Sequence, residues 1–86
     1  MTIDFAELGD VAQDLVLTLR QYPAPLLKNL YDYVPKVTGH KRSPPTIRMA
    51  LQRHCRKSPW YTGKFDLFER IDNGCWQLRP GLKFKV

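Results

Sequence analysis

Seven prolines cut the 86-residue chain into short pieces and limit the length of any regular element. Each proline removes a backbone donor and disfavours helix in the residue before it. Pro23 and Pro25 separate a first helical segment from a second, and Pro35 closes the second. Pro44 and Pro45 open a third, Pro59 ends it, and Pro80 terminates the alternating segment near the end of the chain. Between these markers the apolar residues keep helical spacing three times and then alternate in the manner of a strand.

The first helix is expected to start at Asp4, a favourable N-cap, with Glu7 three residues on in the capping-box position. Phe5, Leu8, Val11, Ala12, Leu15, Val16 and Leu19 make its apolar stripe, and Glu7, Asp10, Gln13 and Asp14 its solvated acidic face. The second helix spans residues 25–34, with Leu26, Leu27, Leu30, Tyr31 and Val34 inward. Residues 36–43 are a basic loop. Ser43, followed by Pro44 in the first helical position, then caps a third helix that reaches Lys57. On this helix Ile47, Ala50, Leu51, His54 and Cys55 share the inner side, while Arg48, Met49, Gln52, Arg53 and Arg56 share the outer. Residues 67–71 and 75–79 alternate around Asp72, Asn73 and Gly74, and Asn-Gly is a strong short hairpin signal. Phe68 and Trp76 are expected as cross-strand or near-cross-strand aromatics, with Arg70 and Arg79 nearer the water. Residues 82–86 are either a short third strand or a frayed basic tail.

This order, three helices and then a hairpin, predicts an α+β winged helix in one domain, 1–86. Residues 1–34 are an acidic helical scaffold, and residues 35–86 carry the recognition helix and the wing. The charge follows the same division. Residues 1–34 hold two basic and five acidic side chains, residues 35–86 twelve basic and three acidic, and the net charge is +6. A domain that concentrates positive charge in this way attracts polyanions through its field alone.

The third helix carries the sharpest signal. Arg48, Gln52 and Arg56 recur every fourth residue and form a row, flanked by Met49 and Arg53. Arginine matches the guanine edge, glutamine the adenine edge, and any arginine can neutralise a phosphate. A merely solvated face usually mixes signs, whereas residues 36–65 contain no acid. Lys41 and Arg42, before the third helix, and Lys64 and Arg70, on the wing side, are expected at phosphates. Lys57 extends the charge beyond Arg56. Trp60 and Tyr61 could stack on a base, but aromatics in such a link more often fold back to close the core.

Several functions are disfavoured by what the residues lack. His40, His54, Cys55 and Cys75 are not paired at ligand spacing, so no metal is expected, nor any cofactor. The two cysteines are expected as reduced thiols. The basic half has only Asp66, Glu69 and Asp72 as carboxylates, and no Ser/His/Asp set or glycine-rich phosphate loop is present, which argues against an enzyme. No apolar run approaches the roughly 18 residues of a membrane span, and no leader pattern opens the chain, so the expectation is a cytoplasmic protein without membrane contact.

Thr46, Ile47, Arg48, Leu51, Gln52, His54, Ser58, Tyr61, Gly63, Asp66, Leu67, Phe68, Gly74, Trp76, Leu78 and Arg79 form a pattern. It resembles the winged-helix module attached to bacterial restriction and HNH-type endonucleases. In those modules a T-I-R-x-x-L-Q helix leads through a Tyr/Gly segment into D-L-F and a hairpin ending G-x-W-x-L-R. The resemblance implies a winged helix that delivers a nuclease to DNA, with Arg48, Gln52 and Arg53 towards the groove. Leu67, Phe68, Trp76 and Leu78 would then build the base of the wing. No cutting activity carries over with it.

The expectation is therefore a non-catalytic protein that binds double-stranded DNA as a monomer or homodimer. It is of a kind found in phage, mobile elements or restriction-associated loci. The alternatives are a protein-interaction module, such as a phage or mobile-element inhibitor on an acidic protein surface, and an RNA binder.

Overall fold

At the start of the chain, long-range pairing overrides local capping. The computed structural model describes residues 2–62 and 64–85. Strand β1 (Thr2–Asp4) lies parallel to a strand near the other end, β4 (Lys83–Lys85), with Ile3 beside Phe84. Asp4 does act as a cap, but of a single 3-10 turn, Phe5–Glu7, where its Oδ1 accepts from the Ala6 N–H at 3.1 Å. Leu8 is extended, so helix α1 begins only at Asp10 and runs to Gln21. The Gln13 amide donates to the carbonyls of Phe5 (3.1 Å) and Leu8 (2.9 Å) and fastens the turn to α1. The basic tail is thus a strand, but its partner is β1 rather than the hairpin. Val86 lies outside the described residues.

Helix α2 (Leu27–Thr38) starts later and ends later than its prolines suggest. The start is delayed because the Pro25 carbonyl accepts from the Trp76 N–H at 3.0 Å and Leu26 makes an antiparallel bridge with Cys75. Pro25 thus serves the hairpin, and Leu26 caps the helix, its carbonyl accepting from the N–H groups of Asn29 and Leu30 at 3.0 Å, while its extended backbone bridges to Cys75. The end is delayed because Pro35 sits inside the helix. Its missing donor removes one hydrogen bond in the last turn, where other bonds compensate. Thr38 Oγ1 donates to the Val34 carbonyl at 2.8 Å, and Gly39, at φ 75°, donates to the Pro35 carbonyl at 2.8 Å. A left-handed closing residue of this kind is a normal glycine role.

Helix α3 (Pro44–Arg53) opens as expected on Ser43, whose Oγ accepts from the Thr46 N–H at 3.4 Å. It stops short of Lys57 because the bonds that would continue it are diverted: the Gln52 carbonyl accepts from the Cys55 N–H at 3.3 Å, and the Arg56 N–H donates to Asp66 Oδ1 at 3.0 Å. Arg53 O accepts from the Thr62 N–H (3.1 Å), and His54 O accepts from the N–H groups of Leu67 (2.8 Å) and Phe68 (3.1 Å). Arg56 and Lys57 are therefore not helical. The hairpin comes next as β2 (Phe68–Ile71) and β3 (Cys75–Leu78), joined by the turn Asp72–Gly74 with Gly74 at φ 74°. Phe68 faces Leu78 and Arg70 faces Trp76 in register, so the two aromatics are diagonal neighbours.

Among the described residues the chain is thus α+β, with three α-helices, an antiparallel hairpin and a separate parallel pair. Helix α1 packs against both α2 and α3, and β3 also meets it. Leu15, Val16, Leu30, Val34, Ile47, Leu51, Leu67 and Phe68 are fully buried in one cluster. Each such side chain contributes about 1.5–3 kcal/mol relative to exposure. No helix among the described residues is long and apolar enough to cross a membrane.

Asp14 is not on a solvated face. It is buried at 4% exposure, its carboxylate accepting from Arg42 Nε at 2.9 Å and facing His40 Nδ1 at 3.1 and 3.2 Å. Because α1 is enclosed by α2, α3 and the loop between them, the margin of its apolar stripe is also covered. Thr18, one turn on, is buried as well and donates to the Asp14 carbonyl at 2.7 Å. Asp14 therefore anchors the basic loop to the scaffold. Asp14→Ala is expected to lower unfolding free energy in urea by about 1.5–3 kcal/mol, the range for hydrogen bonds to charged groups. A loss below about 0.5 kcal/mol, typical of an ordinary surface change, would show that the anchor is dispensable.

Candidate nucleic-acid interface

The outer face of α3 is set by the inward commitment of Ile47 and Leu51, both fully buried. Helical geometry then turns Arg48 and Gln52 to one flank and Arg53 to the other, with Met49 between them. Arg48 and Arg53 are exposed, Gln52 is half-buried, and Met49 is 39% exposed. Arg53, Met49 and Thr46 line an open hollow of about 590 Å³ against the first turn of α1, with Arg42 and His54 at its edge. Gln52 faces the other way. With Lys57, Ser58, Arg70 and Trp76 it lines a cleft of about 360 Å³ between α3 and the hairpin.

The expected row Arg48, Gln52, Arg56 is broken at its last member. Residues 54–61 leave the helix as a loop closed at its neck, where the Arg53 carbonyl accepts from both the Thr62 N–H and Thr62 Oγ1 (3.3 Å). Within the loop the Arg56 N–H donates to Asp66 Oδ1 at 3.0 Å, and the Ser58 N–H to the Cys55 carbonyl at 2.9 Å. Ser58 Oγ donates to Gln52 Oε1 at 3.3 Å and accepts from the Trp60 N–H at 3.2 Å. Arg56 and Lys57 are exposed on this loop, beside α3 rather than on it.

Charge is distributed unevenly among these residues. Arg42 is spoken for by Asp14, and its side chain is only 25% exposed. Arg79 is half-buried rather than facing water, with Nε 2.6 Å from Asp66 Oδ2 and a second, longer contact to Glu69. Those pairs occupy Asp14, Asp66 and Glu69. Lys41, Arg48, Arg53, Arg56, Lys57, Lys64 and Arg70 are exposed and have no ion-pair partner among the described residues. Lys64 instead places its ammonium 5.5 Å from the Phe65 ring centre. Burial lowers the pKa of His54, the neighbouring Arg53 charge adding to the effect, so its ring is neutral at neutral pH and brings no further charge.

Comparisons with protein-family models, with curated proteins and with solved structures find no match. The site therefore rests on its own geometry. Among the described residues no group of three or more His, Cys, Asp or Glu side chains is placed to hold a metal ion, and Cys55 and Cys75 are free thiols. Gly63, part of the sequence pattern that bridges α3 and the hairpin, lies outside the described residues.

Two features of the site escape the sequence pattern. Trp60 does not close the core but stands 60% exposed, while Tyr61 is half-buried. The inner side of its loop is already filled by Cys55, and Leu67 and Phe68 pack behind it. The second feature is Asp14, which helical spacing puts on the acidic face and the structure buries.

Proposed function

We propose that this chain is a non-catalytic winged-helix protein that binds double-stranded DNA, with α3 in the major groove and the hairpin against the backbone. The observation that carries the reading is the set of seven cations on α3, its flanking loops and β2 that are exposed and have no ion-pair partner among the described residues. A surface of this kind favours phosphate, because each contact releases condensed counterions. The layout supports the same reading. Three helices lead into a hairpin, and the Pro25–Leu26 segment between α1 and α2 adds a short third pairing beside β3. That arrangement is compatible with a winged helix, in which the third helix is the one left free for a groove. The stretch 46–79, which resembles the module of restriction and HNH-type endonucleases, is also the stretch that holds α3, the closed loop and the hairpin.

In this assignment Arg48 and Gln52 contact base edges from one flank of α3. Arg53, Lys41, Arg56 and Lys57 contact phosphates around it, and Lys64 and Arg70 do so from the wing side. Arg42 acts indirectly, by holding the basic loop to Asp14. The test is a fluorescence-anisotropy titration of the protein with labelled duplex DNA across a salt series. With about six phosphate contacts, affinity should fall by roughly 10³ between 50 and 200 mM salt. Duplex RNA should compete poorly, because its narrow major groove does not admit a helix. Absence of binding to any duplex at about 100 mM salt would reject the reading, since contacts of this number should hold there.

A further inference from the structure

Trp60 is the most exposed large apolar side chain among the described residues, yet its backbone is held firmly. The Trp60 N–H donates to Ser58 Oγ, the Tyr61 N–H to the Ser58 carbonyl at 3.1 Å, and the loop neck is closed at Arg53 and Thr62. An indole presented on a pinned loop loses little conformational freedom on binding. Around it in the chain, Arg53, Arg56, Lys57 and Lys64 are all exposed and unpaired among the described residues. An exposed aromatic in a stretch of chain rich in unpaired cations is the composition that holds single-stranded nucleic acid.

Building on the duplex-binding reading above, we propose that Trp60 is a stacking platform for an unpaired nucleobase. The protein would then prefer duplex DNA bearing a single-stranded overhang to blunt duplex. A base inside an intact helix has both faces covered by its neighbours, so the indole finds a free face only on a base that has left the stack. The Trp60 loop projects from the end of α3, beside the cleft that contains Lys57 and Arg70. A strand leaving the duplex there meets cations on the loop and on the hairpin edge. Because Ser58 joins the loop to Gln52, the platform has a fixed relation to the helix that would sit in the groove.

The test compares a blunt duplex with the same duplex extended by an overhang of about six nucleotides, a length within the range of single-strand sites. The wild-type protein should bind the extended DNA about fivefold or more tightly, the low end of what one stacked base contributes. Trp60→Ala should abolish that difference and leave blunt-duplex affinity within about twofold. Trp60→Phe, which keeps an aromatic face, should retain most of it. Overhang DNA should also shield Trp60 from acrylamide quenching, a signal that buried Trp76 does not confuse. Equal binding of the two DNAs by wild type, or an overhang preference that survives Trp60→Ala, would overturn the platform while leaving duplex binding intact. Loss of affinity for both DNAs in equal measure would also overturn it. Failure of wild type to bind either DNA would remove the duplex reading and this inference together.

Discussion

Phe68→Ala is expected to remove a large share of the stability of this protein, costing about 3–5 kcal/mol. A chain of this size has roughly 4–13 kcal/mol in total at 0.05–0.15 kcal/mol per residue. Phe68 is fully buried and opens β2, so its side chain joins the helical core to the hairpin. Its N–H donates to the His54 carbonyl beyond the end of α3, its ring meets His54 edge-on at 6.1 Å, and Leu78 lies opposite in register. Truncation therefore leaves a cavity where three elements meet, and partial collapse cannot fill it without moving the hairpin off α3. Urea unfolding followed by circular dichroism should show a much lower midpoint or a population already unfolded in buffer. Phe68→Leu, which keeps most of the volume, should cost less than half as much. A loss under about 1 kcal/mol for the alanine variant, far below the usual cost of such a truncation, would mean that the hairpin packs independently of the helices.

The importance of Phe68 was legible in the sequence because alternation around Asp72–Gly74 fixed the hairpin, and the order of three helices before it was legible for similar reasons. What the pattern misjudged were places where a distant segment competes for local hydrogen bonds. Asp4 has the chemistry of a helix cap, but pairing of Thr2–Asp4 with Lys83–Lys85 limited it to one turn. Pro35 has the chemistry of a helix stop, yet Gly39 and Thr38 supply the bonds that close the helix one turn later. The α3 pattern runs on to Arg56, but Asp66 takes the Arg56 N–H and Thr62 the Arg53 carbonyl. In the first and last of these cases the competitor lies too far along the chain for periodicity to register it. The same limit applies to the site. The basic character of residues 36–65 could be read from composition, whereas the pairing of Arg42 and Arg79, the burial of Asp14 and the exposure of Trp60 depend on which neighbours fill the core first.

Reversing both arginines of α3, Arg48→Glu with Arg53→Glu, should reduce duplex affinity by about 100-fold or more at about 100 mM salt. It should also lower the salt slope by about 0.9, for the one phosphate contact withdrawn with Arg53. The effect should be large because the two side chains stand on opposite flanks of one helix, so no single shift of the protein on the DNA relieves both repulsions. Both are exposed and unpaired among the described residues, so stability should stay within about 0.5 kcal/mol of wild type. That separates a binding defect from unfolding. Gln52→Ala should behave differently. An amide that pairs with an adenine edge contributes about 1–3 kcal/mol of discrimination and no charge, so sequence preference should weaken while the salt slope stays unchanged. Lys28→Glu, on the exposed first turn of α2 in the acidic half, serves as the control for net charge. If the control weakens binding as much per charge as the α3 reversal, the attraction is diffuse and α3 is not the contact surface. If only the α3 variant loses affinity, the positive charge acts through the helix face that the core stripe of Ile47 and Leu51 turns outward.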